Sequence, residues 1–229
     1  VHVKVSVVVP VFNERATVRE VLRRIDEVPL ELEVIVVDDA STDGTREVLQ
    51  ELESTQDLRV IYHSTNQGKG AAVRSGFREA TGDAVVIQDA DLEYLPSEYP
   101  QLLEPILMGQ ADVVYGSRFL GTHRVFYFWH YLGNRFLTLL TNVLYNTMLS
   151  DMETCLKMFR SEVLKSMRLR SNGFNIEPEI TAKVFKGGWR VYETPISYFG
   201  RGYDEGKKIV GWKEGFRAVW ALLRYRFAD

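Results

Sequence analysis

Short runs of branched apolar residues alternate along this chain with stretches in which apolar residues recur at every third or fourth position. Lys4-Val5-Ser6-Val7-Val8-Val9-Pro10 is almost unbroken, as expected of a strand covered on both faces of a parallel sheet. Val18, Val21, Leu22 and Ile25 follow at the spacing of one helical face. The alternation then repeats: a strand over 33–38 with Val48, Leu49 and Leu52 as the next helical face, a strand over 58–62 with a helix over 70–80, a strand over 84–88 with a helix over 97–108, and a strand over 111–115. This order predicts an α/β domain, a Rossmann-like, mostly parallel sheet flanked by helices and joined by right-handed crossovers. In open sheets of this kind ligands gather at the carboxyl ends of the strands.

Beyond residue 120 the rhythm changes. Residues 125–149 are rich in aromatics and Leu but interrupted by His130, Asn134, Arg135, Asn142 and Asn146, too polar to span a bilayer and too apolar for a free surface helix. A short strand at 155–159, a helix near 178–186 and a strand at 189–198 follow. The last segment sets Trp212, Phe216, Val219, Trp220, Leu223 and Phe227 at helical spacing, with Lys213, Arg217, Arg224 and Arg226 among the rest. No linker or repeat divides the 229 residues, so residues 1–229 are read as one domain with amphipathic C-terminal helices.

Composition narrows the class. A 45% hydrophobic and 26% charged content is that of a folded globular chain. The lone Cys155 excludes an internal disulfide framework and a Cys-rich metal site, and suits a reducing compartment. No run reaches the roughly 18 apolar residues of a spanning helix, and the start is too polar for a signal peptide. The net charge of −3 gives no reason to expect a nucleic-acid partner, and an oligomer is compatible with the pattern. Split by position, the charge is uneven: residues 1–122 hold 11 basic and 21 acidic side chains, residues 123–229 hold 17 and 10. The two halves therefore face different chemistry.

The carboxylates of interest stand where the expected strands end. Asp39 closes the second strand, placed to accept hydrogen bonds from a ribose or base, whereas Ser41 and Asp43 read as a helix cap. Asp89-Ala90-Asp91 ends the fourth strand; in extended chain both carboxylates point to one side, a pair suited to Mg2+ or Mn2+ shared with diphosphate oxygens, with Glu93 in reach of the same ion. Asn66-Gln67-Gly68-Lys69-Gly70 precedes a helix, where glycines would let an anionic ligand approach, though the spacing of a P-loop is absent.

Taken in order, Ser6 to Glu14, Val36 to Thr45, Asn66 to Gly70 and Gln88 to Glu93 resemble the inverting family 2 glycosyltransferases with a GT-A fold. Gly116 to Phe119, Ser150 to Arg160, Glu193 to Ile196 and Arg201 to Lys207 resemble one branch, the dolichol-phosphate mannose synthase and polyprenyl-phosphate glycosyltransferase group. The resemblance implies a donor nucleoside pocket of Pro10, Phe12, Glu14, Val37 and Asp39, and a metal and diphosphate segment of Asp89, Ala90, Asp91 and Glu93. It also implies that Arg201 and Lys207 close over the donor diphosphate and that Arg118 lies near the acceptor phosphate. Glu93 departs from the amide or basic residue common at its position, and Lys207 is followed by Lys208.

The expected reaction is metal-dependent transfer of a hexose, mannose from GDP-mannose or glucose from UDP-glucose, to polyprenyl phosphate. It would run on the cytoplasmic membrane face, with the enzyme peripherally attached through its aromatic and basic segments. Charge developing on the leaving diphosphate is to be stabilised by the metal, Asp91 serving it, and by Arg201 and Lys207. A lipid monophosphate is already anionic and needs basic residues, for which Arg118 and Arg135 are the candidates with Arg124 behind them. Asp151 either acts as a base or orients an arginine. The alternatives are a family 2 enzyme using a hydroxyl acceptor and a non-catalytic nucleotide-sugar-binding protein.

Overall fold

In a computed structural model the described residues are 2–124, 127–201 and 211–228, with the backbone alone described for 211 and 212. The elements are β1 (Lys4–Val11), α1 (Val18–Asp26), β2 (Glu31–Asp38), α2 (Thr45–Glu53), β3 (Leu58–Tyr62), α3 (Lys69–Glu79), β4 (Ala84–Ile87), α4 (Tyr99–Leu107) and β5 (Val113–Ser117). Then come α5 (Phe128–Tyr145), β6 (Lys157–Arg160), α6 (Ser161–Ser166), α7 (Ile176–Lys186), β7 (Val191–Pro195) and α8 (Gly211–Phe227). One sheet runs in the order β3-β2-β1-β4-β6-β5-β7. Pairing is parallel except for β6, which runs antiparallel to both β4 and β5. Apolar periodicity does not carry strand direction, so this inversion had no signal in the pattern.

The all-apolar β1 is explained by its central position. Val5, Val7, Val9 and Val11 face one layer, where Val18, Val21, Leu22 and Ile25 of α1 meet Leu49 of α2 and Tyr99, Leu102 and Leu103 of α4. On the other face Ile87, Val113, Tyr115 and Phe159 pack on Val73 of α3, Ile176, Ile180 and Val184 of α7, and Ala218 and Leu222 of α8. Each fully buried Val or Ile contributes on the order of 1.5–3 kcal/mol. Of the apolar stripe expected on α8, Phe216, Trp220, Leu223 and Phe227 are exposed and Val219 is half-buried, while Ala218, Ala221, Leu222 and Tyr225 are buried. The side chain of Trp212 lies outside the description. Among the described residues no helix is long and apolar enough to cross a membrane.

α3 crosses β1 at Gly76, where an added Cβ would overlap Val8 Cγ1. Gly76→Ala is therefore expected to lower stability by about 1–3 kcal/mol through overpacking, read as a drop in urea midpoint with an unchanged slope.

Candidate active site

β1 connects through α1 to β2 on one side, whereas α3 leads into β4 on the other, so the strand order reverses between β1 and β4. A crevice opens at the carboxyl ends there. It belongs to a cavity of about 1200 Å3 lined by Pro10, Phe12 and Glu14 after β1, Asp39 after β2, and Asp89, Ala90, Asp91 and Glu93 after β4, with Arg118 and Arg201. Of the expected donor residues that the structure describes, only Val37 is missing from this lining. Val37 is wholly buried in β2, between Pro10 and Ile61; Lys207 lies outside the described residues.

Asp89 and Asp91 both line the cavity and interact electrostatically, and the chain turns here rather than remaining extended. Lys69 Nζ stands 2.8 Å from Asp89, and Arg201 Nη2 3.1 Å from Asp91. Burial, with Asp89 and Glu93 alongside, pushes the Asp91 carboxyl up to about 7 against the pull of Arg201. The oxygen donors of Asp89 and Asp91 are of the kind that suit a hard divalent cation. Glu93 points elsewhere: it accepts from the Tyr198 hydroxyl at 2.7 Å and from the Arg201 backbone N–H at 2.8 Å. Among the described residues no three acidic, His or Cys side chains form a metal cage. Glu93 therefore ties down the segment that carries Arg201, and the carboxylates left to an ion are Asp89 and Asp91.

Asp39 is largely occupied by its own chain. It accepts from Nδ1 of buried His63 at 2.7 Å and from the backbone N–H groups of Gln67 at 2.9 Å and Gly68 at 2.7 Å. His63 Nε2 in turn meets Ser75 Oγ at 2.9 Å. Asp39 thereby shapes the 66–70 loop beside the cavity. The glycines of that loop make room for protein rather than for an anion: a Cβ on Gly68 would lie 2.5 Å from the Asn172 carbonyl oxygen, and one on Gly70 would strike that of Ser171.

Arg118, expected near an acceptor phosphate, donates from Nε and Nη2 to Asp151 at 2.7 Å each, and its backbone N–H adds a third bond at 3.0 Å. Asp151 is fully buried, and both of its carboxylate oxygens accept from Arg118. Burial would lower the basicity of Arg118, but Asp151 more than reverses this, so its charge is permanent. Arg135 does not reach the cavity lining; it approaches the Ser150 carbonyl at 3.4 Å and the Phe119 ring, whereas Arg124 does line the mouth.

Two cavity-lining carboxyls had no distinct sequence signal. Glu153 has a buried Oε1 without a hydrogen-bond partner, and burial pushes it up to about 7. Glu177 is 2% exposed and ion-paired with Lys157, its Oε1 also lacking a hydrogen-bond partner. With Glu179 beside it and Lys183 and Lys186 in the last turn, Glu177 reads as an ordinary first-turn acid.

The open sheet with its acidic crevice defines a nucleotide-binding type of α/β enzyme fold. The family model Glycosyl transferase family 2 matches residues 6–168, and the chain belongs to that family. It is 34% identical to a dolichol-phosphate mannosyltransferase of Pyrococcus furiosus over 97% of this chain and 64% of that protein. It is 29% identical to an undecaprenyl-phosphate mannosyltransferase of Micrococcus luteus, covering 97% and 98%. It is 32% identical to an undecaprenyl-phosphate 4-deoxy-4-formamido-L-arabinose transferase of Edwardsiella ictaluri, covering 89% and 62%. The chain thus spans under two thirds of the length of the first and third of these relatives. Among solved structures, the glucosyl-3-phosphoglycerate synthase of Mycobacterium tuberculosis superposes with a TM-score of 0.76 at 23% identity, over 99% of this chain and 80% of that one, which establishes the shared GT-A-type fold.

Asp151→Ala would strand the buried Arg118 charge and is expected to cost about 3–5 kcal/mol of stability. Asp151→Ala combined with Arg118→Met should recover most of that loss in denaturant unfolding; an additive double variant would contradict the pairing.

Proposed function

We propose that this protein transfers a hexose, with inversion, from a nucleotide diphosphate sugar to a polyprenyl phosphate, using Mg2+ or Mn2+. The observation that carries the reading is the single cavity joining the Asp89/Asp91 pair and Arg201 to a mouth lined by Tyr127, Trp129, Phe136 and Phe216. The mannosyltransferase names of the relatives, and the Mn2+ and UDP bound to the M. tuberculosis synthase, support the same assignment.

Asp89 and Asp91 would hold the divalent ion, which supplies charge for the leaving diphosphate. Arg201, fixed by Asp91, Glu14 and Glu93, stands over the same point and would stabilise that charge without reorganising. Arg118, its guanidinium held by Asp151, would orient an acceptor phosphate, which is anionic at neutral pH and needs no general base. Lys207 is proposed to complete the basic closure over the donor. A hydroxyl acceptor would need a base other than Asp151, and Glu153 is the cavity carboxyl placed for it. The exposed aromatic faces of α5 and α8, with Trp129 77% and Phe227 78% exposed and Lys213, Arg217, Arg224 and Arg226 beside them, fit the interface of an anionic membrane. Such attachment would place the enzyme on the cytoplasmic membrane face.

Incubation with UDP-glucose or GDP-mannose, Mn2+ and a short polyprenyl phosphate is expected to yield a sugar lipid. EDTA should abolish it, and Asp91→Ala should lower kcat by about 100-fold or more; transfer that survives both contradicts the metal assignment. Because Asp91 ionises only as pH passes through about 7, whereas an ordinary Asp does so near 3.8, proton and metal compete in that window. The affinity for nucleoside diphosphate with Mn2+ should therefore climb between about pH 5.5 and 7.5 and level off above, measured by calorimetry.

A further inference from the structure

The floor of the cavity holds a polar arrangement that neither the diphosphate nor the acceptor phosphate accounts for. Glu177 starts α7, is 2% exposed, and gives one carboxylate oxygen to Lys157. Its other oxygen, Oε1, has no hydrogen-bond partner and stands 3.5 Å from Lys69 Nζ. Lys69 also holds Asp89 at 2.8 Å, which places this oxygen next to the acidic pair. Phe174, 38% exposed, lines the same cavity with its ring beneath Lys69 at 5.9 Å. This oxygen is ion-paired with Lys69 but receives no hydrogen bond, and a buried carboxylate oxygen left without a donor beside a lysine suits a group that both donates and accepts hydrogen bonds. A hydroxyl does both: it donates to Oε1 of Glu177 and accepts from Lys69 Nζ. The flat ring of Phe174 offers an apolar wall of the kind a sugar's C–H face covers.

We propose that Glu177, with Lys69 and Phe174, forms the hydroxyl-reading floor that selects the transferred sugar. This rests on the transferase reading above. It assigns as substrate a hexosyl donor bearing a free hydroxyl at the position that meets Glu177, and it makes Glu177 a specificity-determining residue rather than a base.

The test compares kcat/KM for the productive donor, UDP-glucose or GDP-mannose, with its single-position deoxy analogues. In the wild type one deoxy position is expected to cost about 100-fold or more, because its absence leaves Oε1 unpaired. In Glu177→Gln, whose amide oxygen can still accept from Lys157, the parent donor should fall toward the deoxy level and the penalty at that position should shrink to about fivefold or less. Affinity for the nucleoside diphosphate with Mn2+ should change by less than about threefold in Glu177→Gln. Phe174→Ala, a change at a partly exposed site, covers the case in which Glu177→Gln does not fold: it should weaken the nucleotide sugar by about tenfold and the nucleoside diphosphate by less than about threefold. Unchanged deoxy profiles in the variants, or parallel losses for nucleotide and nucleotide sugar, overturn the proposal. A wild type that transfers but shows a flat deoxy profile overturns it while leaving the transferase reading intact; a wild type that neither binds nor transfers from any donor removes that reading itself.

Discussion

Arg201 lies 3.1 Å from Asp91, 3.5 Å from Glu93 and 3.6 Å from Glu14, and so joins the chain leaving β1 to the chain leaving β4. These carboxylates sit at strand ends, partly withdrawn from water, where like charges cannot crowd together without a counter-charge. The same constraint recurs around the cavity, with Lys69 on Asp89, Lys157 on Glu177 and Arg118 on Asp151. Each cation is fixed by an acid from another element, so the charges are oriented before any ligand arrives, which is the condition for electrostatic stabilisation of a developing anion. Asp91 has its carboxyl pushed up by burial and by Asp89 and Glu93 against the pull of Arg201.

The parallel core was legible because its physics is local. The valine run of β1, the helical faces of α1 and α2, and the strand-end position of Asp39, Asp89 and Asp91 all follow from periodicity and from where α/β sheets bind ligands. Strand direction was not legible, since β6 has the same alternating pattern whichever way it runs. Nor was the contact that α8 makes: the small residues Ala218 and Ala221 allow its close approach to α7, while the aromatic stripe, read from the sequence as an interfacial face, is left outside.

The site shows the same division. Residue type and strand-end position pointed to the acidic pair, and the family resemblance to Arg118. What each carboxylate is paired with depends on contacts between residues far apart in the chain. Glu93 reaches Tyr198, Asp151 reaches Arg118, and Asp39 reaches His63. Gly68 and Gly70 read as a ligand cradle because glycine marks any close backbone approach, whether of an anion or, as here, of residues 171 and 172. Glu177 was silent because nothing in a sequence distinguishes a first-turn acid in solvent from one facing a cavity.

With no group of three acidic, His or Cys side chains arranged to hold an ion among the described residues, a divalent ion at Asp89 and Asp91 would need diphosphate oxygens to complete its shell. Electron paramagnetic resonance of Mn2+ titrated into the protein, alone and with a saturating nucleoside diphosphate, measures this directly. The account predicts weak binding of Mn2+ alone and tight binding of one ion with the nucleotide, lost in the Asp89→Ala, Asp91→Ala double variant. Equal binding with and without nucleotide, or binding that survives the double variant, would contradict it.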